Sequence, residues 1–157
     1  MYRVVLLALV AYAAANTCPD ITPVEDFNFS SFGQDKWYEV ARYPNPRERQ
    51  SNCGIAEYIL DGDTSRARNS YVTDNKEFII NATFKVAPDA GTTGKLLYSL
   101  PYGRNYHDYF SWILSRYKTL AENTKAEIEK IIESSPFLDS NKYIWPKFTE
   151  EACRIDS

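Results

Sequence analysis

Histidine and cysteine are the residue types in this chain that could most readily carry chemistry, and both are scarce. His107 is the only histidine, and a nucleophilic triad needs such a base beside its nucleophile. Its position just after a predicted turn, residues 103–105, indicates an exposed residue. The sequence also contains no glycine-rich phosphate loop and no carboxylate pair at an evident catalytic spacing. We therefore predict that the protein is not an enzyme.

The chain contains three cysteines, Cys18, Cys53 and Cys153. No two of them have the short spacing of a zinc site, and only one histidine is present, so we expect no metal centre. A secreted protein normally pairs its cysteines, and an odd number leaves one over. The residues alone leave open which two cysteines pair.

The N-terminus predicts secretion. Arg3 precedes the apolar stretch Val4 to Ala11, and Ala13 to Ala15 supply the small residues that a signal peptidase requires. The apolar stretch is too short to cross a hydrocarbon layer about 30 Å thick. We therefore assign residues 1–15 to a signal peptide and residues 16–157 to a single domain. The alternative is a buried N-terminal helix.

Charge and glycosylation motifs fit a secreted protein. The net charge of −3 and the pI near 5.2 give no reason to expect nucleic acid or an acidic membrane as a partner. Two sequons for N-glycosylation begin at Asn28 and Asn81. The sequence leaves the occupancy of both open.

A strand near the N-terminus organises the predicted fold. The segment Lys36 to Pro44 alternates bulky and polar residues and ends at a proline. Strict alternation predicts one face with Trp37, Glu39, Ala41 and Tyr43 and another with Tyr38, Val40 and Arg42. A second such strand, Phe110 to Arg116, lies far downstream.

The remaining elements follow from alternation and turn signals. Strands are predicted over 54–60, 67–73, 77–86 and 95–102. Thr119 is predicted to cap a helix that begins at Leu120, carries an apolar stripe and ends at Pro136. A last short strand is expected over 141–145.

These segments together resemble the lipocalin family, in its bilin-binding branch, to which the insecticyanins belong. The resemblance covers nearly all of the chain after the signal peptide. The motifs that carry it are Cys18-Pro19-Asp20, Val24 to Phe29, Trp37 to Pro44, Asn52-Cys53-Gly54, Gly94-Lys95, Leu100 to Gly103, Trp112 to Arg116 and Phe148 to Cys153. It implies an all-β fold, an antiparallel up-and-down β-barrel with one C-terminal α-helix packed outside. It also implies secretion into a haemolymph-like fluid.

The resemblance implies roles for individual residues. Trp37 and Arg116 would meet at the closed end of the barrel as a structural cation–π pair. The ligand of this branch is biliverdin, a tetrapyrrole that binds without a metal, and aromatic faces suit such a flat conjugated molecule. Matching by position gives the ligand-binding set Asn45, Asn69, Tyr71, Ile80, Leu100, Tyr102, Phe110 and Trp112.

The resemblance also implies a disulfide between Cys53 and Cys153. The family bonds its first cysteine to one on a strand that this chain lacks. Cys18 is therefore expected to be a free thiol or to link two chains as a homodimer. The alternative is that Cys18 pairs with one of the other two cysteines.

The sequence departs from the family pattern at two places. Asp35 stands two residues before Trp37, where the pattern has glycine, so either the turn has gained a residue or a non-glycine occupies a tight position. Before the Trp112 strand, two strands and their hairpin are missing, about 20–30 residues. The barrel is therefore predicted to be incomplete, with about six core strands. The leading hypothesis is a bilin carrier, and the alternative is a truncated isoform with impaired or absent ligand binding.

Overall fold

The computed structural model describes residues 21–45, 48, 50–100 and 110–156. The strands are β1 (Asp35–Arg42), β2 (Asn52–Asp61), β3 (Thr64–Thr73), β4 (Lys76–Val86), β5 (Leu96–Ser99) and β6 (Trp112–Ser115). The helices are α1 (Phe29–Phe32), α2 (Glu122–Ser134) and a 3₁₀ helix (Ser140–Lys142). The predicted signal peptide, Cys18, Tyr102 and His107 lie outside the described residues.

All six strands form one antiparallel sheet in the order β5-β4-β3-β2-β1-β6. Strands β1 to β5 pair in sequence order, and β6 returns from the C-terminal side to pair with β1. Within the described part of the chain, β5 and β6 are the two edges and do not pair with each other. The sheet is thus a curled half-barrel. The prediction of an incomplete antiparallel fold with about six strands and a C-terminal helix is confirmed.

One end of the half-barrel is filled by aromatic side chains. Alternation along β2, β3 and β4 turns Tyr58, Ala67 and Phe84 to the same side, where all three are buried. We call this side the inner face and the opposite side the outer face. The rings of α1 pack against it beside Trp37, whose indole nitrogen donates to the Phe32 carbonyl at 3.0 Å. The resulting cluster, the aromatic floor, consists of Phe29, Phe32, Trp37, Tyr58 and Phe84.

A β-bulge in β1 changes which residues share a face. The register of β1 against β6 shifts between Glu39 and Ala41, and a bulge inserts an extra residue that reverses the alternation beyond it. Ala41 therefore packs on the outer face against Ile132 and Tyr143. Arg42 reaches the Glu39 carboxylate instead. The predicted face of Trp37, Glu39, Ala41 and Tyr43 is wrong beyond Glu39 for this reason.

Helix α2 covers the outer face of β1 and β6. Ile132 is buried and Ile128 is half-buried against Ala41 and Ile113. The helix begins at Glu122, two residues later than predicted, and its N-cap is Ala121 without a side-chain hydrogen bond. The predicted cap at Thr119 is therefore wrong, and packing rather than capping positions this helix.

A disulfide joins Cys53 of β2 to Cys153 of the C-terminal tail, with 5.6 Å between the two Cα atoms. The tail runs beside the end of β1, where Arg42 and Ile144 form an isolated antiparallel bridge. Its backbone continues along β2, because the Cys53 amide donates to the Lys147 carbonyl at 3.1 Å. The predicted strand over 141–145 is reduced to this single bridge, since residues 140–142 form the 3₁₀ helix.

The turn into β1 holds a non-glycine residue in a left-handed conformation. Asp35 has φ of 63°, whereas Gly33 has φ of −78°. Of the two explanations for the altered glycine pattern, the structure favours a non-glycine in a tight position. Aspartate tolerates this region better than most residues with a Cβ atom.

Candidate functional site

Beyond the aromatic floor, the inner face carries a group of aromatic, amide and aliphatic side chains. Most of them come from β3 and β4, because residues two apart on a strand point to the same side. Asn69 faces Ile80 across these strands, and Tyr71 faces Phe78. We call this region the upper inner face, and its members are Asn69, Tyr71, Phe78, Ile80, Tyr98, Phe110 and Trp112.

Flat rings provide much of this surface. The rings of Tyr71 and Phe78 are nearly parallel, with centroids 5.5 Å apart and 14° between their planes. Tyr98 stacks in the same way on Phe84 of the aromatic floor, at 5.9 Å and 13°. Several rings remain 44–48% exposed and can therefore contact a ligand, namely Phe78, Tyr98, Phe110 and Trp112.

An amide and a phenol supply a polar group among these rings. The Asn69 side-chain nitrogen donates to the Tyr98 hydroxyl oxygen at 2.5 Å. Burial raises the pKa of Tyr98, the Asn69 hydrogen bond lowers it, and the charge of Glu48 raises it further. The phenol therefore stays protonated at neutral pH and keeps a proton to donate to a bound acceptor.

The loop after β1 places a carboxylate beside Trp112. Glu48 accepts a hydrogen bond from the Trp112 indole nitrogen at 3.0 Å and another from the Asn45 side-chain nitrogen at 2.6 Å. Asn45 is 5% exposed, and its side-chain oxygen accepts from the Glu48 backbone amide at 3.0 Å. These bonds connect the loop to β6 and leave a carboxylate at the rim of the upper inner face.

A buried ion pair lies in the wall of the half-barrel. Arg42 is completely buried, and it donates to the Glu39 carboxylate at 2.6 Å and to the Ser51 carbonyl at 2.9 Å. Burial raises the pKa of Glu39 to about 7, although the hydrogen bond from Arg42 lowers it and the Glu48 charge raises it. The Arg42 Nε atom has no hydrogen-bond partner among the described residues. The pair supports the wall, and burial brings the pKa of the Glu39 carboxyl close to neutral pH.

The structure brings most of the sequence-predicted ligand residues together. Asn69, Tyr71, Ile80 and Trp112 lie on the upper inner face, and Phe110 packs against Trp112 with ring centroids 5.6 Å apart. The Asn45 side chain hydrogen-bonds to Glu48 at the rim of this face. Leu100 follows the end of β5 and lines a groove on the outer face.

Two residues of this surface were missed at the sequence level, although a signal for them exists. Phe78 stands two positions before Ile80, and Tyr98 stands two before Leu100, which the family resemblance assigns to the same set. Period-2 alternation from these predicted residues would have included both. The contact between Glu48 and Trp112 had no such signal, because it joins residues 64 positions apart through a loop.

The composition of the upper inner face suits the binding of a small molecule. Over the described ranges, no group of three or more His, Cys, Asp or Glu side chains could hold a metal ion. In the same part of the chain, no helix is long and apolar enough to cross a membrane. Aromatic faces with a few polar groups at their rim match the general composition of small-molecule sites.

Several known proteins resemble this chain in sequence and in fold. Bilin-binding protein from Pieris brassicae is 33% identical over 191 aligned positions that cover all of both chains. Insecticyanin-B from Manduca sexta is 31% identical, with full coverage of this chain and 95% of its own. The insecticyanin structure from the tobacco hornworm superimposes with a TM-score of 0.71 at 29% identity, over 88% of this chain and 90% of the other. No family model matches the chain.

The alignment also bears on the missing strands. The alignment with bilin-binding protein spans 191 positions, whereas this chain has 157 residues. This chain therefore has no residue at 34 of the aligned positions. That number is somewhat larger than the roughly 20–30 residues expected for the two missing strands and their hairpin. On identity above 30% across the whole length, and on the shared half-barrel wall, the chain belongs to the lipocalin family, in the branch of bilin-binding protein and the insecticyanins.

Proposed function

We propose that the protein is a secreted, non-catalytic carrier that binds a small hydrophobic ligand, a bilin such as biliverdin, on the upper inner face. The observation that carries the proposal is the set of nearly half-exposed rings on one face of the sheet, bordered by hydrogen-bonding groups. A linear tetrapyrrole is flat and conjugated, so it would stack on Phe78 and Trp112. Its pyrrole nitrogens and lactam oxygens would bond to Glu48 and Tyr98.

The name of one sequence relative, bilin-binding protein, supports the choice of ligand. In this proposal the pigment is held non-covalently and without a metal ion. The N-terminal residues 1–15 would direct the chain out of the cell, into an extracellular fluid such as haemolymph.

Titration with biliverdin tests the proposal directly. Purified protein without residues 1–15 is mixed with increasing biliverdin, and the pigment's absorption spectrum is recorded. We expect a shifted band that saturates at one pigment per chain. Bovine serum albumin denatured by reduction serves as a control for non-specific uptake by apolar surface. An unchanged or non-saturable spectrum at micromolar protein would contradict a bilin carrier.

A second candidate is a truncated isoform of the same fold with impaired or absent ligand binding. The two sheet edges that do not pair within the described residues favour it, because an open wall contacts a ligand on fewer sides. Because Cys53 and Cys153 are bonded to each other, the expectation that Cys18 is a free thiol or links two chains gives a separate test. Thiol labelling without reductant would find one reactive thiol per chain, or a non-reducing gel would show a dimer that Cys18→Ser abolishes. Either result together with no biliverdin binding would select this candidate.

A further inference from the structure

The outer face of the sheet carries a glycosylation motif in an open position. In the sequon Asn81-Ala82-Thr83 on β4, Ala82 is buried in the inner core, whereas Asn81 and Thr83 are exposed on the outer face. The two side chains that define the motif thus point to solvent together. Among the described residues, the Asn81 side-chain amide makes no hydrogen bond, so no structural contact has to break for it to be modified.

A groove runs beside this asparagine. It has a volume of about 910 Å³ and lies across the outer face of β2 to β5. Helix α2 does not cover it, because that helix packs on β1 and β6. Its lining combines exposed aliphatic surface with charged groups of both signs, including Glu57, Ile59, Arg66, Arg68, Asn81 and Thr83.

We propose that Asn81 carries an N-linked glycan whose first N-acetylglucosamine lies in this groove. The apolar face of the sugar ring would pack on Ile59, which is 58% exposed. Arg66 would donate to the sugar's hydroxyl and acetamide oxygens. Arg68 is already bonded to Glu57 and Glu77, which fixes the groove's floor. The inference rests on the proposed secretory route, because the transfer occurs only there.

The modification is a group transfer from a lipid-linked oligosaccharide pyrophosphate. The Asn81 Nδ2 atom attacks the anomeric carbon of the N-acetylglucosamine, and a carbon–nitrogen bond forms. The bond between that carbon and the pyrophosphate oxygen breaks, and lipid pyrophosphate leaves with the electron pair. The amide nitrogen loses one proton to the transferase. Because Asn81 lies on the outer face of β4, the folded protein can hold the glycan without contact with the upper inner face.

The other sequon differs in its local role. Asn28 caps α1, and its side-chain oxygen accepts from the Ser31 backbone amide at 2.8 Å. Its amide is therefore already oriented by the helix start. Asn28→Gln provides a control with the same chemical change at a second sequon, and we expect it to leave the glycan in place.

The experiment expresses the chain in insect cells with residues 1–15 replaced by the signal peptide of another secreted protein. Entry into the secretory pathway then does not depend on the chain's own N-terminus. Protein from medium and from cell lysate is treated with peptide N-glycosidase, which converts a glycosylated asparagine to aspartate. We expect one downward gel shift and the Asn-to-Asp mass change at position 81.

Variants at the motif give the sharpest comparison. Asn81→Gln and Thr83→Ala should abolish the shift, whereas Thr83→Ser, which keeps the sequon, should retain it. Absence of an enzyme-sensitive mass on the wild type, or its loss in Asn28→Gln alone, would overturn the inference. Biliverdin titration of the same material reports on the proposed ligand separately, so failure of one proposal is distinguishable from failure of the other.

Discussion

Arg116 lies across the indole of Trp37, with its guanidinium carbon 3.7 Å from the ring centroid. The same guanidinium donates to the backbone carbonyls of Ser31, Gln34 and Lys36 at 2.7 to 3.1 Å. One side chain at the end of β6 therefore connects the turn before β1, β1 itself and the aromatic floor. The two residues that the family resemblance assigned to structure meet at the closed end of the half-barrel.

Arg116→Ala should destabilise the fold by about 2 kcal/mol, because it removes the cation–π contact and leaves three carbonyls without this donor. Arg116→Lys should recover only part of the loss, since an ammonium cannot reproduce the planar fork. Urea denaturation with the disulfide intact measures both. Arg154→Ala, which breaks an exposed pair with Asp156, should change stability by less than about 0.5 kcal/mol. Equal effects of the two alanine variants would refute the role given to Arg116.

The raised pKa of Glu39 makes stability depend on pH. The pKa of Glu39 is 4.5 when the side chain is unperturbed, as in the unfolded chain, and about 7 in the fold. Between these two pH values the folded state therefore binds more protons than the unfolded state. The contribution of Glu39 to the free energy of unfolding should therefore be greatest below pH 4.5. It should fall by about 3 kcal/mol as the pH rises from 4.5 through 7. Denaturation at pH 5, 6, 7 and 8 measures the slope.

Glu39→Gln should flatten that slope, whatever its effect on absolute stability through Arg42. Glu57→Gln is the matched control, because Lys36 and Arg68 hold the pKa of Glu57 below its usual value. The contribution of Glu57 to stability therefore changes only under more acidic conditions. The dependence of stability on pH between pH 5 and 7 should be the same in Glu57→Gln as in the wild type. A slope unchanged by Glu39→Gln would mean that another group titrates there.

The disulfide between Cys53 and Cys153 closes a loop of 100 positions. In the chain-entropy model such a loop contributes up to about 4.7 kcal/mol. Replacing both residues with serine should therefore lower the free energy of unfolding by about 3–5 kcal/mol. Urea curves of the variant and of the oxidised wild type measure it. Cys18→Ser should leave stability unchanged, and a loss as large as that of the double variant would indicate a different pairing.

Phe78 and Ile79 form a matched pair for testing the binding face. They are neighbours on β4, both 45% exposed, and they point to opposite sides of the sheet. Phe78→Ala should weaken biliverdin binding about tenfold, equivalent to about 1.4 kcal/mol, because the ring that stacks on Tyr71 is lost. Ile79→Ala should leave the affinity within a factor of two. Equal loss in both variants would argue for binding elsewhere, or for a general effect on folding.

Position 35 tests the strain in the turn before β1. With φ of 63°, glycine should be favoured over aspartate, and aspartate over alanine, because the Cβ atom is disfavoured in the left-handed region. Asp35→Gly should raise the melting temperature slightly, and Asp35→Ala should lower stability by about 1 kcal/mol. Calorimetry of the three proteins gives the order, and a more stable alanine variant would contradict the strain.

Much of the upper inner face was predictable, because its side chains follow the two-residue period of a strand. Asn69, Tyr71 and Ile80 lie on β3 and β4, two long strands with a tight turn between them, and their alternation is unbroken. These three residues and Trp112 were all assigned by family position, and Trp112 lies on the short strand β6. Local patterns of this kind can be read before the chain folds, since they need only the pleat of a strand.

The sequence by itself determined the six strands of the sheet, their order along the chain and the family. Only the tertiary structure decided how β1 divides its residues between faces. The bulge after Glu39 is a property of the pairing with β6, so it brings Arg42 beside Glu39 although alternation separates them. The tertiary structure also decided that β5 and β6 lie at opposite edges of one sheet, because strand pairing depends on contacts between residues far apart in the chain.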